Sequence, residues 1–398
     1  MPTSIKEINL QKKTSIKTLF TMQLQKEMNY SYWELKRYFN PFDIIIIGSG
    51  IVGLSTALSC RKKNKKARIL ILERGIMPDG ASSKNAGFAC FGSVSELIDD
   101  LDKMDEDVVW ETVKMRWEGL NMLRKRIGDK NLDYKKYGGF ELFDKENNYL
   151  YYREKSEYLN KKITECLGIK NCYSDVPVKP MPFNRVTGVL RNNYEGQIDT
   201  DLMMQSLLSL AHINDILILN NIQVSAIKDL NNRVELQTAQ GVFKATKVVV
   251  ATNGFATDLL KIKDVKPARA QVLITKPIKN LAIKGAFHYQ QGYFYFRNIN
   301  HRLLFGGGRN LDPDIETTSM NGLNKTIQTQ LDKLLKTMVL PNTRYEVEHR
   351  WTGIMGIGNE KKPIIRPVSD NVLAAVRMGG MGIAIGSLVG QYAAKEIM

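Results

Sequence analysis

The residues with the clearest chemical use are Gly48-Ser49-Gly50-Ile51-Val52-Gly53 and, twenty positions after Gly53, Glu73. Glycine at these three spacings has three separate jobs around a phosphate. Gly48 permits a tight turn, Gly50 lets a pyrophosphate reach the backbone, and Gly53 lets a helix pack closely on a strand. Ile51 and Val52 open that helix, whose unpaired N–H groups and positive end suit phosphates. The acid Glu73, with Arg74 beside it, stands where it would hydrogen-bond the ribose hydroxyls of an adenine dinucleotide.

Such a turn works only between a strand and a helix, and the flanking residues supply both. Ile44-Ile45-Ile46-Ile47 is a β-branched run without alternation, the pattern of a strand buried on both faces of a parallel sheet. Leu54, Ala57 and Leu58 follow at helical spacing, and Arg68 to Leu72 reads as the next strand. Lys247 to Gly254 is again a strand running into a glycine turn, with Ala251, Thr252 and Gly254 at its end. Between these segments the texture changes: residues 132–143, 268–276 and 288–305 read as strands with turns, and 147–167 as a helix. The expected fold is α/β, a Rossmann-like dinucleotide-binding domain with a discontinuous second domain on a mixed or antiparallel sheet. The expected boundaries are 1–41 for a leader and arm, 42–130, 196–265 and 350–398 for the first domain, and 131–195 and 266–349 for the second. Within the leader, residues 1 to about 28 read as mobile or mis-assigned, and Tyr30 to Asn40 as an arm packed on the body.

At 398 residues, 43% hydrophobic and 25% charged, the composition is that of an ordinary globular chain. No apolar run approaches the roughly 18 residues of a membrane span, so no transmembrane segment is expected. The formal charge of +16 is spread along the chain apart from Arg61-Lys62-Lys63-Asn64-Lys65-Lys66. No nucleic-acid motif accompanies it, and no nucleic-acid partner is expected. Cys60, Cys90, Cys166 and Cys172 lack CxxC spacing, which suits a reducing, cytoplasmic location. The four histidines show no metal-ligand spacing, and no metal is expected.

A second polar, glycine-bearing stretch, Gly80-Ala81-Ser82-Ser83-Lys84-Asn85-Ala86-Gly87-Phe88, follows the ribose acid. The order of GxGxxG unit, acid-ended second strand and GASSxNAG-type loop resembles the D-amino-acid oxidase and glycine oxidase (DAO) superfamily of FAD-dependent oxidoreductases, from about Asp43 to the C-terminus. The resemblance implies noncovalent FAD, with Ser82, Ser83, Asn85, Ala86, Gly87 and Phe88 at the cofactor and Val224 beside the adenine. It also places the turn Gly380-Met381-Gly382-Ile383-Ala384 at the flavin's pyrimidine end. There, backbone N–H groups and a positive helix end stabilise the negative charge that reduction brings.

Along Tyr293-Phe294-Tyr295-Phe296-Arg297, strand alternation sends Tyr293, Tyr295 and Arg297 to one face and Phe294 and Phe296 to the other. The polar-tipped face either lines a substrate cavity, with Arg297 or a tyrosine hydroxyl fixing an acid or an amine, or packs between the lobes. His288, Trp351, Met355 and Met381 are further candidates for that cavity. Amino-acid-oxidising relatives such as glycine oxidase carry a carboxylate-binding arginine two residues after the glycine matching Gly353, where this sequence has Met355. That departure favours an amine, or an acid held by another group. Residues 351–358 and 295–308 resemble the gamma-glutamylputrescine oxidoreductase branch, and Leu304 stands where sarcosine-oxidase relatives carry a lysine near the flavin. The resemblance implies oxidation of a small amine or amino acid to an imine by hydride transfer to flavin N5, then hydrolysis to a carbonyl product and amine or ammonia. The implied electron acceptor is oxygen or a quinone or other respiratory carrier. The alternative is a non-catalytic or regulatory FAD- or nucleotide-binding protein.

Overall fold

The computed structural model describes residues 29–179 and 181–398. The expected leader over residues 1–28 lies outside them. The described residues form two eight-stranded sheets and a two-stranded ribbon.

The path of the first sheet runs Ile364–Ser369, Val372–Val376, Gly241–Val250, Phe42–Ile47, Ile69–Leu72, Leu217–Leu219. Phe42–Ile47 lies at its centre, parallel to both neighbours, with Ile47 opposite Leu72 on one side and Val250 on the other. Its side chains divide by parity between two separate cores. Ile44 and Ile46 pack beneath the helices Ile51–Lys63 and Gly382–Ile397, while Ile45 and Ile47 pack against Val234, Leu236 and Phe243 on the other face. All four isoleucines are buried, which explains why the run carries no polar alternation; each contributes roughly 1.5–3 kcal/mol of transfer free energy. The antiparallel strands Ala226–Asp229 and Val234–Thr238 extend from Gly241–Val250 as a meander. On this lobe sits the N-terminal arm: Tyr30 Oη donates to the Gln240 carbonyl at 3.2 Å, and Phe39 stacks on Phe243 at 4.9 Å.

The second sheet runs Val347–Ile357, Lys266–Thr275, Arg302–Gly307, Phe294–Ile299, Ala286–Tyr289, Gly139–Phe143, Gly188–Asn192, Tyr173–Val176. It is mixed, because Ala286–Tyr289 pairs in parallel with Gly139–Phe143. Phe294, Phe296 and Phe305 bury against the helix Lys325–Leu334. Tyr295 and Leu304 face the first lobe with Ala86, Phe88 and Trp351. The strand Val347–Ile357 spans the expected boundary at 350, but it pairs along Lys266–Thr275 within this sheet. The boundary therefore falls in the loop after Ile357. The segment 132–143 is strand only from Gly139, since Asp133 and Gly138 take positive φ (46° and 95°) that break an extended run.

Candidate active site

The two sheets meet across a continuous cavity of about 840 Å³. At its dinucleotide end, Phe42–Ile47 stops at Gly48, whose φ of +103° turns the chain, and whose N–H donates to the Leu72 carbonyl at 2.8 Å. A methyl group on Gly53 would stand 1.9 Å from the Gly48 carbonyl oxygen, so only glycine lets the helix sit this close to the turn. The helix Ile51–Lys63 has no side-chain cap, and its first N–H, on Ile51, donates to Ser82 Oγ at 3.0 Å. Glu73 is buried and held: Oε2 accepts from the Ser49 N–H at 3.0 Å and Ser49 Oγ at 2.7 Å, and Oε1 from the Gly75 N–H at 3.0 Å.

These features fit an adenine dinucleotide. Gly48, Gly50, Ile51, Val52, Glu73, Arg74, Ser82, Asn85, Ala86, Phe88, Val224, Ala251 and Thr252 all line the cavity, as do Gly380, Met381, Gly382, Ile383 and Ala384 at its other end. Thr252 Oγ1 is buried without a hydrogen-bond partner, a polar atom still to be satisfied. The helix Gly382–Ile397 also starts without a side-chain cap, after Gly379 and Gly380 at φ +58° and +84°. Its first N–H groups are thus left to a ligand or solvent.

Six residues expected at the site stand outside the lining. Gly53 is consumed by the contact with Gly48 just described. Ser83 donates its hydroxyl to the Pro78 carbonyl. Gly254 packs on backbone, where a methyl group would meet the Met355 carbonyl at 2.4 Å. Gly87 abuts the Ile198 carbonyl and the Arg297 guanidinium. Arg297 is buried behind that turn, with Nε unpaired and burial lowering its pKa to about 10. Trp351 donates Nε1 to the Lys84 carbonyl at 3.0 Å. Arg297 and Trp351 therefore support the turn 84–88 from behind.

His288, Tyr293, Tyr295 and Met355 do reach the cavity. Phe88 meets both the His288 and Tyr295 rings edge-on, at 5.3 and 5.5 Å. Burial pushes the Tyr295 phenol up to about 12 and lowers the His288 imidazole, so both are uncharged at neutral pH. His288 Nε2 has no hydrogen-bond partner. Nearby, burial works against ionisation of Glu96, but Arg116 and Lys361, each 3.5 Å away, outweigh it and hold the carboxyl below its usual range.

Sequence reasoning missed Glu96, Asp99, Asp100 and Lys103, all lining residues on the helix Val94–Lys103. Their i, i+3, i+4, i+7 spacing was the available signal. Lys361 sits in irregular backbone and Arg309 opens the three-residue 3-10 turn Arg309–Leu311, so neither gave a periodic one. Cys90, Glu195 and His288 bring ligand-type atoms within 4.8 Å of one another. The Glu195 carboxylate already accepts from the Phe91 and Gly92 N–H groups, and burial pushes the Cys90 thiol well above its usual range. Cys90 and Glu195 are accordingly already committed within the fold. No helix among the described residues is long and apolar enough to cross a membrane.

The family model described as FAD dependent oxidoreductase, DAO, matches residues 43–396. The chain is 22% identical over 382 residues to the probable oxidoreductase OrdL of Haemophilus influenzae, covering 89% of this chain and 83% of that one. Among solved structures it is similar to L-proline dehydrogenase from P. horikoshii, with a TM-score of 0.72, 18% identity, and 90% and 94% of the two chains covered. Glycine oxidase from Geobacillus kaustophilus gives a TM-score of 0.72 at 19% identity, with the same coverage of 90% and 94%. With the cradle for a dinucleotide opening directly onto an aromatic chamber, the chain belongs to the DAO family of FAD-dependent oxidoreductases, enzymes of amine and amino-acid oxidation with FAD as cofactor.

Proposed function

We propose that this enzyme oxidises the C–N bond of a small amine or amino acid to an imine, which water hydrolyses to a carbonyl product and an amine or ammonia. The observation that supports this most is the single cavity joining the glycine cradle to His288, Tyr293, Tyr295 and Met355. The Gly48–Gly53 turn, Glu73 and the 379–384 turn would hold FAD, which when bound would supply a two-electron acceptor for the substrate's hydride.

The chain's own residues position the amine and set its protonation state. His288 and Tyr295 are uncharged, and the Glu96 and Asp100 carboxylates are engaged by Arg116 and Lys361. An ammonium entering the chamber thus loses hydration without gaining a free counter-ion, which favours the neutral amine whose lone pair drives hydride loss. His288, whose Nε2 is buried without a partner and whose pKa burial lowers, adds an uncharged wall to that chamber.

Residues 295–308 and 351–358 favour the gamma-glutamylputrescine oxidoreductase branch within the family. Oxygen or a quinone-type carrier is the acceptor in this reading. The free thiols of all four cysteines suit the cytoplasm. The test is anaerobic bleaching of the flavin's visible absorbance against polyamine derivatives, N-methyl amino acids, cyclic imino acids, and D- and L-amino acids. Rapid bleaching by one class supports the reading and names the substrate class. A flavin that none of them reduces overturns it in favour of a non-catalytic role.

A further inference from the structure

Five lysines and arginines line the cavity: Arg74, Lys84, Lys103, Arg309 and Lys361. Four are already engaged. Arg74 stacks 3.6 Å from the centre of the Phe255 ring and lies 3.9 Å from Asp79, which also pairs with Lys84. Lys103 pairs with Asp99 at 2.6 Å, and Lys361 with Asp100 at 2.5 Å. Arg309 alone forms no side-chain hydrogen bond, ion pair or ring stacking with any described residue.

Its backbone is nonetheless fixed. Gly307 and Gly308 take φ of +114° and +79°, and a methyl group on Gly307 would stand 1.9 Å from the Tyr293 carbonyl oxygen. That same oxygen accepts from the Gly308 N–H at 2.8 Å. The strand Arg302–Gly307 therefore ends tight against Tyr293, and Arg309, two residues on, lines the same cavity as Tyr293. Two acids that follow in the chain bond elsewhere. Asp312 accepts from Asn324 Nδ2 at 2.8 Å, and Glu316 is paired with Arg269 at 2.7 Å. A half-buried guanidinium on a rigid glycine hinge, facing a cavity and left without a counter-ion, is built to receive a carboxylate.

We propose that Arg309 is the substrate-anchoring cation of this enzyme, and that its substrates are amines bearing a carboxylate, or an equivalent planar anion, that pairs with Arg309. This rests on the amine-oxidising reading above and reconciles it with Met355: the anion is held from the strand end at 307–309 and not from the strand Val347–Ile357.

The experiment uses the FAD-loaded full chain and two probes of one shape, benzoate and uncharged benzamide, titrated by calorimetry and by the change in flavin absorbance. Wild type should bind benzoate at least about tenfold more tightly than benzamide. Arg309→Gln should weaken benzoate by about ten- to a hundredfold, leaving benzamide affinity, FAD content and melting temperature unchanged. Arg309→Lys should restore part of the loss. Equal benzoate affinity in wild type and Arg309→Gln, or equal loss of both probes, overturns the assignment. These titrations require no turnover, so a flavin that no amine bleaches would sink the amine-oxidase reading while benzoate binding still judges Arg309.

Discussion

The Arg297 guanidinium stands directly behind Gly87: a methyl group on the Gly87 α-carbon would lie 2.7 Å from Nη2 and 2.5 Å from the Ile198 carbonyl oxygen. Gly87 also has a φ of +72°, where an L side chain is strained. Gly87→Ala should therefore cost about 1–3 kcal/mol of stability. Its neighbours Ala86 and Phe88 line the cavity, so FAD content should fall with melting temperature. A variant that melts and loads like wild type would remove this turn from the cradle.

The clamp of Ser49 on Glu73 carries a second prediction. With Oε2 held by the Ser49 N–H and hydroxyl, Glu73 is pre-oriented for a ribose, and Glu73→Gln keeps the shape while removing the charged acceptor. FAD affinity of the apoprotein should drop by about 1.5–3 kcal/mol, or ten- to a hundredfold. Fluorescence quenching of added FAD reads this directly, and an unchanged dissociation constant would detach Glu73 from the cofactor.

The contrast between Gly48 and Gly87 shows what was legible in the chain. Gly48 belongs to a local pattern of strand, turn and helix, with each glycine's role set by neighbours a few residues away. Gly87 and Arg297 meet across 210 positions, and no periodicity encodes that meeting. Alternation along 293–297 did separate Phe294 and Phe296 from Tyr295 and Arg297. It could not tell that Tyr295 would reach the cavity while Arg297 would be buried behind Gly87. Likewise Val347–Ile357 ends beside flavin-lobe turns in sequence, and only its ladder with Lys266–Thr275 assigns it to the second sheet. Arg309 was illegible for a third reason: its significance is the lack of an ion-pair partner, which depends on Asp312 and Glu316 turning instead to Asn324 and Arg269.

Tyr295 faces the chamber edge-on to Phe88, and its phenol stays protonated to about pH 12. Tyr295→Phe retains the ring packing and removes one hydrogen-bonding group. With the substrate found by flavin bleaching, kcat/KM should fall about tenfold, roughly the worth of one hydrogen bond, with FAD content unchanged. Full activity in the variant would reduce Tyr295 to packing.

Glu141 and Glu195 give the fold a pH dependence of defined sign. Burial is the leading influence on each and pushes both carboxyls up to about 7, despite hydrogen bonds from Ser93 and Ser95 to Glu141 and from Phe91 and Gly92 to Glu195. An unfolded glutamate titrates near about 4.3. Between these values the folded protein holds protons that the unfolded chain has released, so the stability these groups contribute is full below about pH 4.3 and is lost as pH rises toward 7. Each loss is on the order of 3 kcal/mol. Glu96 works in the opposite sense, because its lowered carboxyl keeps its contribution until pH falls below the ordinary carboxylate range. The holoenzyme's melting temperature should therefore decline from about pH 5 to about pH 7. Glu195→Gln, whose amide oxygen can still accept from Phe91 and Gly92, should make that decline shallower, and adding Glu141→Gln should flatten it further. An identical slope in wild type and the double variant would mean that both carboxyls are already ionised throughout this range and that burial does not govern them.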